Sequence, residues 1–65
     1  MAIYAHFIDN KDDKIISRRG ISSVPRVGDT LRFNREIYYR VCLVVYVYDE
    51  NVERVNIGCK PEQLN

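Results

Sequence analysis

An all-β domain is what this chain of 65 residues predicts, and three observations carry the prediction. Apolar residues recur at a period close to two along most of the length, and no stretch sustains a 3.6-residue repeat. Val, Ile, Tyr and Phe supply much of a hydrophobic content of 46%, and these residues suit a pleated, half-buried surface. Clusters of Asp, Asn, Gly, Ser and Pro break the apolar runs at short intervals, leaving no segment for a crossover helix. A small antiparallel barrel or strongly bent sheet of five strands follows.

The elements can be taken in order. Ile3, Ala5 and Phe7 alternate with Tyr4, His6 and Ile8, the pattern of a first strand. Asp9-Asn10-Lys11-Asp12-Asp13 is dense in turn formers and reverses the chain. Lys14 to Arg19 returns as a second strand, which makes an N-terminal hairpin over residues 2–19. Gly20 to Pro25 is a connector. Within Val24-Pro25-Arg26-Val27-Gly28-Asp29, Pro25 fixes its own φ and biases Val24 to extended geometry, while Gly28 permits a left-handed turn. Thr30 to Phe33 is a short third strand, and Asn34-Arg35-Glu36 a tight reversal. Ile37 to Tyr48 is almost pure strand former, and a strand of that length must bend in so small a domain. Asp49-Glu50-Asn51 suits a three-residue hairpin loop with Asn51 left-handed. That loop pairs Val45 with Val55, Leu43 with Ile57 and Val41 with Cys59, apolar against apolar on one face. A slip of one residue would set Cys42 opposite Cys59 instead. The barrel core then spans 24–59, and Lys60 to Asn65 is a short tail with room for one helical turn after Pro61.

A domain of this length buries only about 60% of the surface its unfolded chain exposes, so its core is thin and a partner or a second copy adds stability readily. The formal net charge is +1, which excludes a strong overall attraction to nucleic acid or to a membrane surface. Residues 14–40 nevertheless carry a net charge of +5, with −2 on either side. Seven of the ten basic residues are Arg, the cation suited to bidentate contacts with carboxylate or phosphate. The start of the chain has no basic region before its apolar residues, and no apolar run approaches the roughly 20 residues that span a bilayer. A cytoplasmic protein is expected, in which the two cysteines are reduced packing thiols rather than a disulfide.

The segment Val24-Pro25-Arg26-Val27-Gly28-Asp29-Thr30-Leu31 resembles the entry to an SH3-like small barrel. In such barrels a Pro-x-Val-Gly-Asp turn launches a strand, followed by Tyr-x-Val and a Val-rich strand; here Tyr39-Arg40-Val41 and Leu43-Val44-Val45 match. With its N-terminal hairpin the chain is also similar in layout to small proteins carried by bacteria, prophages and phages. The resemblance implies an SH3-like fold, which hosts many unrelated functions. Phage-borne examples include inhibitors of host defence, and the resemblance extends that expectation here.

Two groups of residues are candidates for contact with a partner. If Tyr39, Val41, Leu43, Val45 and Val47 face the core, the opposite face of the long strand shows Tyr38, Arg40, Cys42, Val44, Tyr46 and Tyr48. That row is too apolar for open solvent, and Tyr with Arg is the composition of interface hot spots. The alternative is a bent strand that buries both faces at different points. The second group is Arg18, Arg19, Arg26 and Arg40, whose forks can hold phosphate oxygens while Tyr faces stack on a base. The low net charge disfavours a long polyanion but not a nucleotide. Catalysis has little support. His6 lies inside an apolar strand, Cys42 and Cys59 lie on strands, and Ser17, Ser22 and Ser23 lack a nucleophile-elbow context. Asp9, Asp12 and Asp13 suit a solvated hairpin tip, without the closing Glu of a calcium loop. No cofactor or metal is expected. The leading expectation is a non-enzymatic, protein-directed inhibitor or adaptor that binds a protein partner, a second copy of itself as a homodimer, or both, with Tyr38, Arg40, Tyr46 and Tyr48 as its contact residues. The alternatives are a binder that sequesters a small phosphorylated ligand, and a nucleic-acid-binding barrel.

Overall fold

The computed structural model describes residues 3–49 and 52–62, and over these the chain is all-β. Five strands, β1 (Ile3–Asp9), β2 (Lys14–Ile21), β3 (Thr30–Arg32), β4 (Tyr38–Asp49) and β5 (Val52–Glu62), form one sheet in the order β2-β1-β5-β4-β3. The sheet curls like half a barrel, with β2 and β3 as its unjoined edges. One pairing departs from an antiparallel barrel. β1 runs parallel to β5, with Ala5 beside Val55 and Phe7 beside Ile57, while the other three ladders are antiparallel. This follows from the chain path: β1 closes onto the strand at the other end of the sequence, which no local turn dictates.

The turns form where their chemistry puts them. In the β1–β2 hairpin Asp13 takes a left-handed φ of 59° and its N–H donates to the Asp9 carbonyl at 2.8 Å. The Asp9 and Asp12 carboxylates accept from the backbone N–H groups of Lys11 and Lys14, so these acids shape the turn. Gly28 has φ 99°, and the Asp29 N–H closes the turn onto the Arg26 carbonyl at 3.0 Å, as a glycine third in a four-residue turn allows. The Arg26 N–H in return donates to the Asp29 carboxylate at 2.9 Å. Asn34 Oδ1 accepts from both Glu36 and Ile37 N–H, which fixes the reversal before β4.

The core lies on the concave side of the sheet, where Ala5, Phe7, Val41, Val55, Ile57 and Cys59 are buried. The β2–β3 connector, β3 and the loop after it cover the core, bringing Val24, Leu31 and Phe33 in turn against the buried set. Phe33 meets Phe7 edge-on at 5.0 Å and Tyr39 at 5.8 Å, and the Arg19 guanidinium lies 5.6 Å over its ring. Phe33 thus works as a lid from outside β3, which ends at Arg32. Among the described residues no second layer covers the convex side. Among the described residues no helix is long and apolar enough to cross a membrane.

Two local expectations are corrected. β5 continues as strand through Pro61 and Glu62, so the tail does not begin at Lys60; Gln63 to Asn65 lie outside the described residues. Pro61 is tolerated because it pairs with Tyr39 at a position whose N–H the ladder does not need. Asp49 belongs to β4 and pairs with Val52, leaving only residues 50 and 51 between the strands. The expected left-handed Asn51 lies outside the described residues.

Candidate functional site

A bulge decides what β4 shows to solvent. Val41 pairs with Cys59 as expected, but the next pair is Leu43 with Gly58, so Cys42 is the extra residue. Beyond it Val44 pairs with Ile57, Val45 with Asn56 and Tyr46 with Val55, one residue off the expected register. The bulge flips the alternation: Tyr39, Val41 and then Val44 lie on the core side, whereas Tyr38, Arg40 and then Leu43, Val45 and Val47 take the convex side. Gly58 makes room for this. A Cβ there would lie 2.7 Å from Asn10 Oδ1 and 3.3 Å from Leu43 Cβ. Cys42 is exposed and Cys59 buried, both as free thiols. Burial pushes the Cys59 thiol up to about 11, with Cys42 and Asp9 adding to the effect, so it is an inert packing group.

The four residues expected to form one contact face therefore divide between two sides. Tyr38 and Arg40 lie on the convex side near β3, and Arg40 is engaged in a bidentate pair with Glu62, at 2.9 Å from Nε and 2.6 Å from Nη2. Tyr46 and Tyr48 lie on the core side, past the end of the core, with rings stacked at 6.5 Å. They are 54% and 78% exposed. The four arginines of the ligand alternative do not converge. Arg18 pairs with His6 across the convex face, Arg19 caps Phe33 on the other side, Arg26 sits in the Gly28 turn, and Arg40 holds Glu62. A cleft of about 550 Å³ is lined by the apolar Phe7, Ile21, Val24, Pro25 and Leu31 together with Ser23, Arg26 and Asp29.

What the structure brings together is a free edge. β3 covers β4 only from Tyr38 to Arg40, and the Gly28 turn extends the cover to Val41, whose N–H and C=O bond to Asp29 and Gly28. From Leu43 onward no strand among the described residues lies on that side. The direction of the unpaired groups follows from the ladder. The Cys59 carbonyl accepts from Asn10, so odd-numbered β5 residues point toward β1 and even-numbered ones toward β4. Leu43, Val45 and Val47, opposite Gly58, Asn56 and Arg54, spend their backbone bonds on β5. Val44, Tyr46 and Tyr48 turn theirs outward. Along this edge Leu43, Val45, Tyr46 and Tyr48 are 54%, 42%, 54% and 78% exposed, and no charged residue occurs between Val41 and Tyr48.

The opposite edge is built differently. β2 carries Lys14, Arg18 and Arg19 and is broken by an irregularity near Ile16, the usual protection against edge-to-edge pairing. Leu43 and Val45 were not singled out as contact residues by their sequence, because only the bulge turns them outward. Comparison with protein-family models, with curated proteins and with solved structures finds no match.

Proposed function

We propose that this protein is a non-enzymatic binding module, a protein-directed inhibitor or adaptor that docks by adding a strand to the edge of β4. The observation that carries the reading is the stretch Leu43–Tyr48, uncovered on the side away from β5, uncharged and rich in exposed Val, Leu and Tyr, in a chain whose other long edge is protected. Strand addition supplies main-chain bonds to Val44, Tyr46 and Tyr48, and the alternating side chains supply selectivity. Tyr46 and Tyr48 offer large contact area at small entropic cost. The ribbon they stand on extends beyond the strands that flank it, so a partner strand also stabilises a part of the fold that is marginal alone.

Tagged protein recovered from its host cells tests this. Tyr46→Pro deletes one outward N–H without breaking a bond to β5, and Val45→Lys places a charge on the exposed edge strand. Both variants are expected to stay folded by circular dichroism and to lose the co-purified protein that the unaltered chain retains. Retention of that protein by both folded variants would move the docking site elsewhere.

A further inference from the structure

We infer that the convex face of the sheet is a second binding site, which takes a short length of single-stranded nucleic acid. The inference goes beyond the β4 edge and does not depend on it. The sheet registers put Arg18, Arg32, Arg40, Arg54 and Lys60 on this side, against Glu62 and Asp49 as the acids among the described strand residues that face it. Glu62 is taken up by Arg40, and Asp49 sits at the tip of the ribbon opposite Val52. Arg18, Arg32, Arg54 and Lys60 have no carboxylate partner among the described residues. The net charge of +1 hides this face because other acids are spent in turns: Asp9 and Asp12 hold the β1–β2 hairpin and Asp29 the Gly28 turn.

The rings on this face choose among polyanions. Tyr4 and His6 stand edge-on at 5.2 Å, and Tyr4 is 48% exposed. The β2 neighbour of Tyr4 is Gly20, which has no side chain to lie against the ring, and one step along the parallel register its β5 neighbour is Arg54. Arg18 flanks His6, and both arginines lie close enough to depress the His6 pKa. An open ring between two guanidinium groups can stack a base while the arginines take the phosphates beside it. Six residues along β5, about 20 Å away, Lys60 continues the basic track toward Arg32 and Tyr38, a span that suits a site of about four nucleotides. A duplex hides its bases and is itself convex, so it would meet the curled sheet along a narrow line and leave the rings idle. An acidic peptide would use the arginines but offers the open ring no base to stack.

Fluorescence anisotropy of a short labelled oligo(dT), titrated with the full chain over a range of salt concentrations, tests the inference. A duplex of equal length and a polyglutamate peptide of equal charge serve as competitors. The oligo(dT) is expected to bind more tightly than either, with an affinity that falls linearly in log–log form as salt rises. Arg18→Gln and Arg54→Gln should each flatten that slope by about 0.7, the share of one phosphate on a single strand. Tyr4→Ala should weaken binding about tenfold or more and leave the slope alone, because stacking releases no counterions. Tyr4→Trp should keep the affinity, and its emission, from a chain that otherwise has no Trp, should be quenched by the oligo(dT). Tyr46→Pro, which disables the β4 edge, should bind oligo(dT) as the unaltered chain does. No binding at the lowest salt, a duplex or peptide that binds as tightly, or a folded Tyr4→Ala that loses nothing overturns the inference. Loss of binding in folded Tyr46→Pro would also overturn it, by moving the site from the face to the edge.

Discussion

At the scale of single residues, His6 ties stability to pH on the acid side. It lies on the convex face between Arg18 on β2 and Asn56 on β5, with Tyr4 edge-on at 5.2 Å and Arg54 bonded to Asn56 at 3.2 Å. Partial burial, then Arg54 and Arg18, hold its pKa below the ordinary 6.5. A depressed pKa means that the unfolded chain binds the proton more readily. The associated stability is therefore present above pH 6.5 and is lost as pH falls through the folded value. Thermal melts are expected to show lower stability on acidification through this window, with the dependence reduced in His6→Gln. An NMR titration of Arg54→Gln should find the His6 pKa nearer 6.5. An unchanged pKa in that variant would remove Arg54 as a cause.

At the scale of elements, legibility depended on whether a signal was local. Gly28 and Asn34 carry their turns in their own chemistry, so both reversals were readable, and the uninterrupted strand formers announced β4. The bulge at Cys42 leaves no mark, because an extra residue in a run of Val and Tyr keeps the run apolar. Its consequence is nevertheless the face of every residue from Leu43 to Tyr48, and it divided the expected contact row between two sides. The parallel β1–β5 pairing was unreadable for a different reason. It joins segments about fifty residues apart, and only the assembled sheet selects it. Phe33 was read as part of a strand, whereas it is the lid over Phe7. Its truncation has a predictable cost. Phe33→Ala should destabilise by about 2–3 kcal/mol, somewhat less than a fully buried Phe because Phe33 keeps some exposure. Urea unfolding reads this directly, and a change below about 0.5 kcal/mol, typical of a surface site, would contradict the lid.

At the scale of the whole molecule, a single curled sheet has one covered side and one bare side. The extents of 42 × 24 × 18 Å show the cost of that plan. The buried apolar residues Ala5, Phe7, Val41, Val55, Ile57 and Cys59 anchor one end, while the β4–β5 ribbon extends past the core with Tyr46 and Tyr48 in solvent. A domain of this size is expected to have only about 3–10 kcal/mol of stability, so an unpaired apolar ribbon is a large liability unless something pairs with it. The fold class was legible because alternation and turn chemistry act along the whole chain. The uncovered edge of β4 was only half legible, since its composition was visible and its direction was not.

Amide hydrogen exchange measured with and without added host extract tests the central claim, that the edge of β4 is the working surface. The N–H groups of Leu43, Val45 and Val47 bond to β5, so they should be protected in both conditions. Those of Val44, Tyr46 and Tyr48 point outward; they should exchange freely in the isolated protein and gain protection together when extract is added. If these three amides exchange freely with and without extract, the edge has no occupant and the account is wrong.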